Sequence, residues 1–258
     1  MQVTLLGTGA PLSINRSCMG MMVTADGCAP LLIDTCGGFE LAGQLSRAGF
    51  KLSDVTNVIV THRHADHAGG MQALILANRP VVVHALADTH EGIEQMKAGC
   101  FPEWGLENPD WGQQQERFRK TIVPGDERDI GGFRIEFFAM VHRVPTVAVR
   151  VTCNQRTFTY SADSRPCDAL VAAARSADLF LCDALYPETQ GEQAAAQARR
   201  LMHPTAREAG VLAAQAGVKA LALVHSSVNA DPTLIANEAR EAFGGPTFMP
   251  ADLTKLAV

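Results

Sequence analysis

The sequence predicts an α/β fold in which two β-sheets pack face to face with helices outside them. Three observations carry that expectation. The chain has 258 residues, 47% of them apolar and 19% charged, enough to bury one large core. Short runs rich in Val, Ile, Leu and Phe alternate with helix-like stretches. That order occurs twice, each time a strand-rich segment followed by alternating strands and helices, as two similar halves would require. No solenoid-period repeat and no linker-like segment divides the chain, so a single domain over 1–258 is expected.

The apolar runs place strands at residues 2–6, 19–24, 30–34, 57–61, 80–84, 133–140, 146–152, 157–161, 179–183, 220–225 and 246–249. Apolar spacing at i, i+3 and i+4 places helices at 38–49, 68–78, 86–98, 167–176, 191–201, 205–216 and 232–243. In the stretch 205–216, for instance, Leu212, Gln215 and Ala216 fall on one face with Val211, and Gly217 supplies a C-terminal stop. Residues 99–118 fit neither period. They hold both tryptophans (Trp104 and Trp111), two prolines and a Gln run, and read as an ordered loop or insertion, with Phe101 and the tryptophans arguing against disorder. Such a segment suits a substrate-contacting lid or a dimer contact.

Composition removes several function classes. A formal net charge of −5 argues against a dedicated nucleic-acid binder, although a local basic cleft stays open. No window approaches eighteen uninterrupted apolar residues, so no membrane span is expected. The opening Met1-Gln2-Val3-Thr4-Leu5-Leu6 has no basic n-region, so a soluble, cytoplasmic protein is expected. Seven cysteines, an odd number with no Cys-x-x-Cys pair, read as buried thiols in a reducing compartment. Cys36 is in a loop but has no helper base beside it in sequence, so it reads as a packing residue.

The chemistry is concentrated in Val58-Ile59-Val60-Thr61-His62-Arg63-His64-Ala65-Asp66-His67-Ala68-Gly69-Gly70. A buried strand ends at Thr61 and a helix begins near Gly69. Between them His62, His64, Asp66 and His67 fall within six positions. Imidazole and carboxylate suit zinc-like borderline metals, and alternate positions on a tight turn can face two different ions. Four residues do not complete two sites. His142, Asp163 and His225 each follow an apolar strand and would converge on the same sheet edge. His84, closing a strand, and His90, on a polar helix face, read as structural.

With those residues in hand, the chain resembles the metallo-β-lactamase fold family, whose His-x-His-x-Asp-His signature stands at His62–His67 and whose remaining ligands match His142, Asp163 and His225 in order. The resemblance covers essentially the whole chain. It implies an αββα sandwich of two packed mixed β-sheets flanked by helices, with the site on one edge. It also implies two divalent metal ions, zinc first, with manganese or iron as alternatives. His62, His64 and His142 would hold one ion, Asp66, His67 and His225 the other, with Asp163 bridging. True β-lactamases commonly carry Cys at the bridging position, so antibiotic hydrolysis is disfavoured.

Met202-His203-Pro204-Thr205-Ala206-Arg207-Glu208-Ala209 is similar to a segment of ribonuclease Z and its phosphodiesterase relatives, as are Leu6-Gly7-Thr8-Gly9-Ala10-Pro11 and Leu32-Ile33-Asp34-Thr35. That likeness implies that Asp183, at the end of Leu179-Phe180-Leu181-Cys182-Asp183, orients His203 as a proton donor. His203 alternatively reads as a helix-entry residue ahead of Pro204, with Thr205 helping to cap. Asp34 either hydrogen-bonds a ligand imidazole or caps the helix that starts near Gly37.

The expected function is therefore metal-dependent hydrolysis of a small or cyclic phosphodiester by a hydroxide shared between the two ions, with Asp66, His203 and Asp183 as catalytic residues. An arylsulfatase, lactonase or thioesterase with the same metal core is the enzymatic alternative. Processing of the tRNA 3′ end ranks lower. The tRNA-processing relatives carry a long arm between the third-motif His and the bridging Asp, whereas His142 and Asp163 are 21 positions apart, room for two strands and a turn. Arg143, Arg150 and Arg156 in that stretch read as a solvated sheet face. A non-catalytic cofactor-binding protein would be expected to have lost ligands, and all seven positions are filled. The partner implied is a small-molecule ester, and a homodimer is expected only from relatives.

Overall fold

The computed structural model describes residues 1–77, 80–101 and 118–258. Its first sheet has the strand order β14-β1-β2-β3-β4-β5-β6. These strands are Gln2–Gly7 (β1), Gly20–Thr24 (β2), Leu31–Thr35 (β3), Asn57–Val60 (β4), Val82–Ala85 (β5), Arg119–Thr121 (β6) and Lys255–Ala257 (β14). The second has the order β13-β12-β11-β10-β9-β8-β7. It comprises Glu127–Ile130 (β7), Phe133–Ala139 (β8), Val147–Cys153 (β9), Arg156–Tyr160 (β10), Leu179–Asp183 (β11), Leu221–Val224 (β12) and Thr247–Phe248 (β13). In each sheet three antiparallel pairings are followed by three parallel ones. The two halves of the chain thus build the same mixed sheet, and the fold is the expected α/β metallo-β-lactamase sandwich.

Strand alternation explains the layers, because successive side chains point to opposite faces. Leu179 and Leu181 of β11 enter the core between the sheets, while Phe180 and Cys182 face the outer helices. In β3, Leu31 and Ile33 point inward and Leu32 points out. Both faces are covered, so the strands read as continuous apolar runs.

Glu40–Ala48 (α1), Met71–Leu76 (α3) and Ala87–Cys100 (α4) cover the first sheet, with Leu41, Leu45, Leu74 and Ile93 buried against it. Asp168–Ala174 (α5), Ala206–Ala216 (α7) and Pro232–Phe243 (α8) cover the second. Ala65–Ala68 (α2) and Glu192–Leu201 (α6) lie beside the site. Helix α7 packs closely on α8: a Cβ at Gly210 would lie 2.4 Å from the Ala239 carbonyl oxygen.

Several expectations change in detail. The helix read as 68–78 is two short helices, α2 and α3, and the first begins at Ala65 instead of near Gly69. The His64 carbonyl accepts the His67 and Ala68 N–H groups, so Asp66 and His67 ride on a helical turn. Helix α4 runs on to Cys100, so the beginning of the irregular stretch 99–118 is helical, and Phe101 packs on the outer core. Its remainder at 102–117, with Trp104 and Trp111, lies outside the described residues. His90 is buried and not on a polar face. Val211 is exposed, so the buried stripe of α7 runs through Ala209, Leu212, Ala213 and Ala216. No helix among the described residues is long and apolar enough to cross a membrane.

Candidate metal centre

Topology brings the candidate ligands to one edge. Strands β8 and β10 are both antiparallel to β9, and β10, β11 and β12 are mutually parallel. The segments leaving β8, β10, β11 and β12 therefore emerge together, carrying His142, Asp163, Asp183 and His225. In the other sheet β3 and β4 are parallel, and Asp34 and His62 occur at their C-terminal ends. Sharp turns sit at these positions. Asp34 (φ 54°), Ala162 (φ 49°) and His225 (φ 57°) occupy the left-handed region that non-glycine residues avoid. The His225 N–H donates to the Thr8 carbonyl, which holds that turn. Gly70 lets the signature loop close down on β3, since a Cβ there would lie 1.7 Å from the Thr35 carbonyl oxygen.

Three overlapping groups result, each able to hold a metal ion, the third being Asp163, Asp183, His203 and His225 beside the two main ones. The first is His62, His64, His142 and Asp163; the second is Asp66, His67, Asp163 and His225. In the first, His64 Nδ1 lies 3.0 Å from His62 Nε2 and 3.3 Å from His142 Nε2, and Asp163 Oδ2 is 3.6 and 3.7 Å from those two Nε2 atoms. In the second, Asp66 Oδ2 is 3.4 Å from His67 Nε2 and 3.1 Å from His225 Nε2. Asp163 reaches this group too, with Oδ1 3.3 Å from His67 Nε2 and Oδ2 3.6 Å from His225 Nε2. Asp163 is thus common to both.

Hydrogen bonds outside the cluster aim the rings. Asp34 Oδ2 accepts from His67 Nδ1 at 2.7 Å. The Thr61 N–H and hydroxyl both donate to Asp34, and the hydroxyl oxygen lies 3.1 Å from His62 Nδ1. A hydroxyl that donates to Asp34 must accept from His62, which fixes the proton on His62 Nδ1 and turns the Nε2 lone pair to the cluster. Thr35 adds a hydroxyl bond to the His67 carbonyl. Asp34 therefore orients the imidazole of His67, a candidate ligand, and does not cap the first helix; the Gly37 N–H goes to Glu40 instead. Thr61 was missed by sequence reasoning, its one signal being its place between the buried strand and His62.

The electrostatics favour cations. Asp34, Asp66, Asp163 and Asp183 are all buried, and their ion pairs among the described residues are with histidines. Burial disfavours charge on Asp66 and Asp163, yet the surrounding imidazoles hold both carboxyls well below the usual range. Burial also opposes charge on His67, but Asp163, Asp66 and Asp34 outweigh it and raise that ring well above its ordinary value. His225 is lifted the same way, against burial, to about 10 by Asp163, Asp183 and Asp66. His62, His64 and His142 go the other way, pushed down by burial, His142 to about 4.

Lone carboxylates packed this deeply are costly unless paired. His67 Nε2 and Asp163 Oδ1 are buried without a hydrogen-bond partner. The separations of 3.0–3.7 Å span the edge of a tetrahedron of ligands at zinc-like distances, about 3.3 Å for bonds of about 2.0–2.1 Å. The donor set, the orphaned atoms and the unbalanced carboxylates all fit divalent metal ions.

Beside the cluster, His203 Nδ1 bonds Asp183 Oδ2 at 2.5 Å, and the His203 ring stacks on His225 at 5.0 Å between centroids. Asp183 Oδ1 lies 3.5 Å from His225 Nδ1, so one carboxylate touches both rings. The Asp183–His203 pairing and the helix-entry reading coexist, because Thr205 and Glu208 also form a reciprocal capping box on α7. An open cleft of about 570 Å³ exposes His64, Asp66, His142, Asp163, His203 and His225. All nine sequence-derived site residues are brought together; of them, His62 and His67 lie behind the cleft wall and Asp183 behind His203.

The structural reading of His84 holds, whereas the reading of all seven cysteines as buried thiols holds only in part: all are free, but only Cys36, Cys153 and Cys182 are buried, Cys18, Cys28 and Cys167 are half-buried and Cys100 is exposed. His84 is buried beside Asn57, outside the cluster. Cys36 is fully buried, and burial pushes its thiol well above the usual range, as for a packing residue. The three arginines read as one sheet face divide. Arg150 donates to Ala173 and Arg175 carbonyls and Arg156 pairs with Asp178, whereas Arg143 lines the cleft.

A family model described as "Anti-Pycsar protein Apyc1" matches residues 1–203. A protein named ribonuclease Z from Halorubrum lacusprofundi is 26% identical across 98% of this chain and 95% of its own length. Among solved structures, the metallo-β-lactamase fold protein YhfI from Bacillus subtilis superposes with a TM-score of 0.79 at 22% identity, covering 99% of this chain and 98% of that one. Zn(2+)-bound PqqB from Methylobacterium extorquens superposes at 0.78 and 16% identity over the whole of both chains. The solved structures share the fold.

Proposed function

The chain belongs to the Anti-Pycsar protein Apyc1 family and is a metallo-β-lactamase-fold hydrolase, and from that premise we propose that it is a dinuclear phosphodiesterase acting on a small or cyclic phosphodiester. The observation that carries the reading is the His203–Asp183 pair at 2.5 Å, set in the same cleft as the two His/Asp groups. A bare metal hydrolase has no need of it. A diester with a poor alkoxide leaving group does.

His62, His64 and His142 would hold one ion and Asp66, His67 and His225 the other, with Asp163 shared. Zinc is the proposed metal, supported by the His/Asp donor set and by the zinc-bound PqqB neighbour. When bound, the ions make water nucleophilic at neutral pH and neutralise the phosphate oxygens. The chain's own residues supply the rest. Asp34 and Thr61 keep the His62 and His67 lone pairs aimed inward. Asp183 fixes a proton on His203 Nδ1, leaving Nε2 to pass a proton to the departing ester oxygen as the P–O bond breaks. The stacked His225 ring limits His203 to that orientation.

A small substrate suits the strands between His142 and Asp163. Strands β9 and β10 are joined by a tight turn at Asn154 and Gln155, both with positive φ, and no arm for gripping a large RNA is inserted there. Hydrolysis of bis(p-nitrophenyl) phosphate by protein loaded with zinc or manganese tests the reading, with Asp66→Ala as the control. Metal-dependent turnover lost in the variant supports it. Two ions bound per chain without turnover overturns it, and sulfate esters, lactones and thioesters then come first. A precursor tRNA with a 3′ extension belongs in the same assay, because curated relatives carry the name ribonuclease Z.

A further inference from the structure

We propose that Arg143 is the side chain by which the cleft selects negatively charged substrates, a specificity-determining contact that rests on the phosphodiesterase reading and deepens it. Arg143 is the one Lys or Arg among the described residues lining the cleft. Its Nη2 donates to the Arg200 carbonyl at 3.0 Å. Arg200 lies in the last turn of α6, three positions before His203, and the negative end of that helix favours a cation there. Arg143 itself directly follows His142, whose ring is 5.2 Å from that of His203. The guanidinium is therefore held on the His203 side of the cleft, where the reacting ester and its leaving group must lie.

Its charge is left uncompensated. The contact to Arg200 is to a neutral carbonyl, and Arg143 makes no ion pair among the described residues. Neighbouring arginines are committed elsewhere: Arg199 pairs with Glu188 and Glu208, Arg207 with Glu188, and Arg200 bonds the Gln197 amide oxygen. Pro11, Leu12 and Val228 add apolar surface to the cleft lining. Beside the metal groups, an anion entering the cleft thus meets one Lys or Arg side chain, Arg143. The planar guanidinium fork, with one N–H used by Arg200, keeps further donors for phosphate oxygens. A neutral ester gains nothing from it.

The test uses metal-loaded wild type, Arg143→Gln and Arg143→Lys. Inorganic phosphate is titrated calorimetrically, and kcat and KM are measured for bis(p-nitrophenyl) phosphate. The Gln variant is expected to bind phosphate about tenfold more weakly and to raise KM by about as much, with kcat within about threefold. Lys, which keeps the charge, should be intermediate, the salt dependence of KM should flatten in Gln, and metal content should stay unchanged. Unchanged phosphate affinity and KM in a folded Gln variant overturn the proposal, as does a Lys variant no better than Gln. Arg143→Ser replaces Gln if that variant does not fold. Phosphate binding that depends on Arg143 without diester turnover would sink the phosphodiesterase reading alone. Diester turnover indifferent to Arg143 would sink this proposal alone.

Discussion

Asp34 Oδ2 lies 2.7 Å from His67 Nδ1, and the same carboxylate takes the hydroxyl of Thr61, which in turn meets His62 Nδ1. One buried carboxylate on β3 thereby sets the ring orientation of one histidine in each of the two main groups. The arrangement is local. Asp34 ends a buried strand, its positive φ turns the side chain across to β4, and Thr61 and His62 follow that neighbouring strand directly.

Asp34→Asn keeps the shape and removes the charge, so the His67 Nδ1–H keeps at most a neutral amide acceptor in place of a carboxylate. Metal affinity is expected to fall about 10–100-fold, read by chelator competition, with the circular dichroism spectrum unchanged. Thr61→Val removes the hydroxyl at nearly constant volume and should weaken the His62 group selectively. Wild-type affinity at both sites in both variants would show that the outer hydrogen bonds do not tune the metals.

His203→Ala should retain metal, since the His203 ring belongs to neither of the two main groups. Its kcat is expected to drop about 10²–10⁴-fold for a diester that leaves as an alkoxide. For a p-nitrophenolate leaving group, which departs without a proton, the loss should be far smaller. Equal losses for the two substrates would remove His203 from the role of proton donor.

Much of this was legible because the site stands on buried strands. Each apolar run that ends in His, Asp or Thr marks a strand end, and parallel strands share an edge, so His142, Asp163 and His225 could be placed together from order alone. Strands β6, β7 and β14 were not legible. They are short edge strands carrying Arg119 and Lys120, Glu127 to Asp129, or Lys255, and edges tolerate charge that hides an apolar pattern. Arg143 was misplaced for a different reason: sequence gives alternation along a strand, but residues beyond β8 leave the sheet and no period governs them. Thr61 was invisible because a threonine closing a strand has too many ordinary explanations.

Gly70→Ala and Gly210→Ala test two close approaches. The added methyl would stand 1.7 Å from the Thr35 carbonyl oxygen in the first and 2.4 Å from that of Ala239 in the second, so backbone must move. Each should cost about 1–3 kcal/mol by denaturant midpoint. Gly70→Ala should also reduce metal affinity, because it lifts the signature loop from β3, whereas Gly210→Ala, between α7 and α8, should not. The same metal loss in both would mean that the site responds to global stability alone.

Metal removal should destabilise the protein, because the buried carboxylates then keep only imidazolium partners. At a free ion concentration about a hundredfold above Kd, binding adds about 2.7 kcal/mol per site. At about 2–4 °C per kcal/mol for a chain of this size, one site should raise the midpoint by about 5–11 °C over the chelated protein. No shift under stoichiometric binding would show that the cluster is equally well satisfied by protons.

His84 gives a pH test away from the metals. Burial, then Arg128 and Lys120, push its pKa down to about 4 in the folded protein, from an ordinary value of about 6.5. The unfolded chain therefore binds more protons between those values, and the stability contributed by neutral His84 is full above about pH 6.5 and is lost as pH falls towards about 4. His84→Gln should flatten that part of the stability curve relative to wild type at equal metal loading. NMR titration of the ring should give a midpoint near 4. A midpoint at the ordinary imidazole value would mean that the ring is solvated and that Asn57, 3.4 Å from its Nε2, does not hold it in the strand.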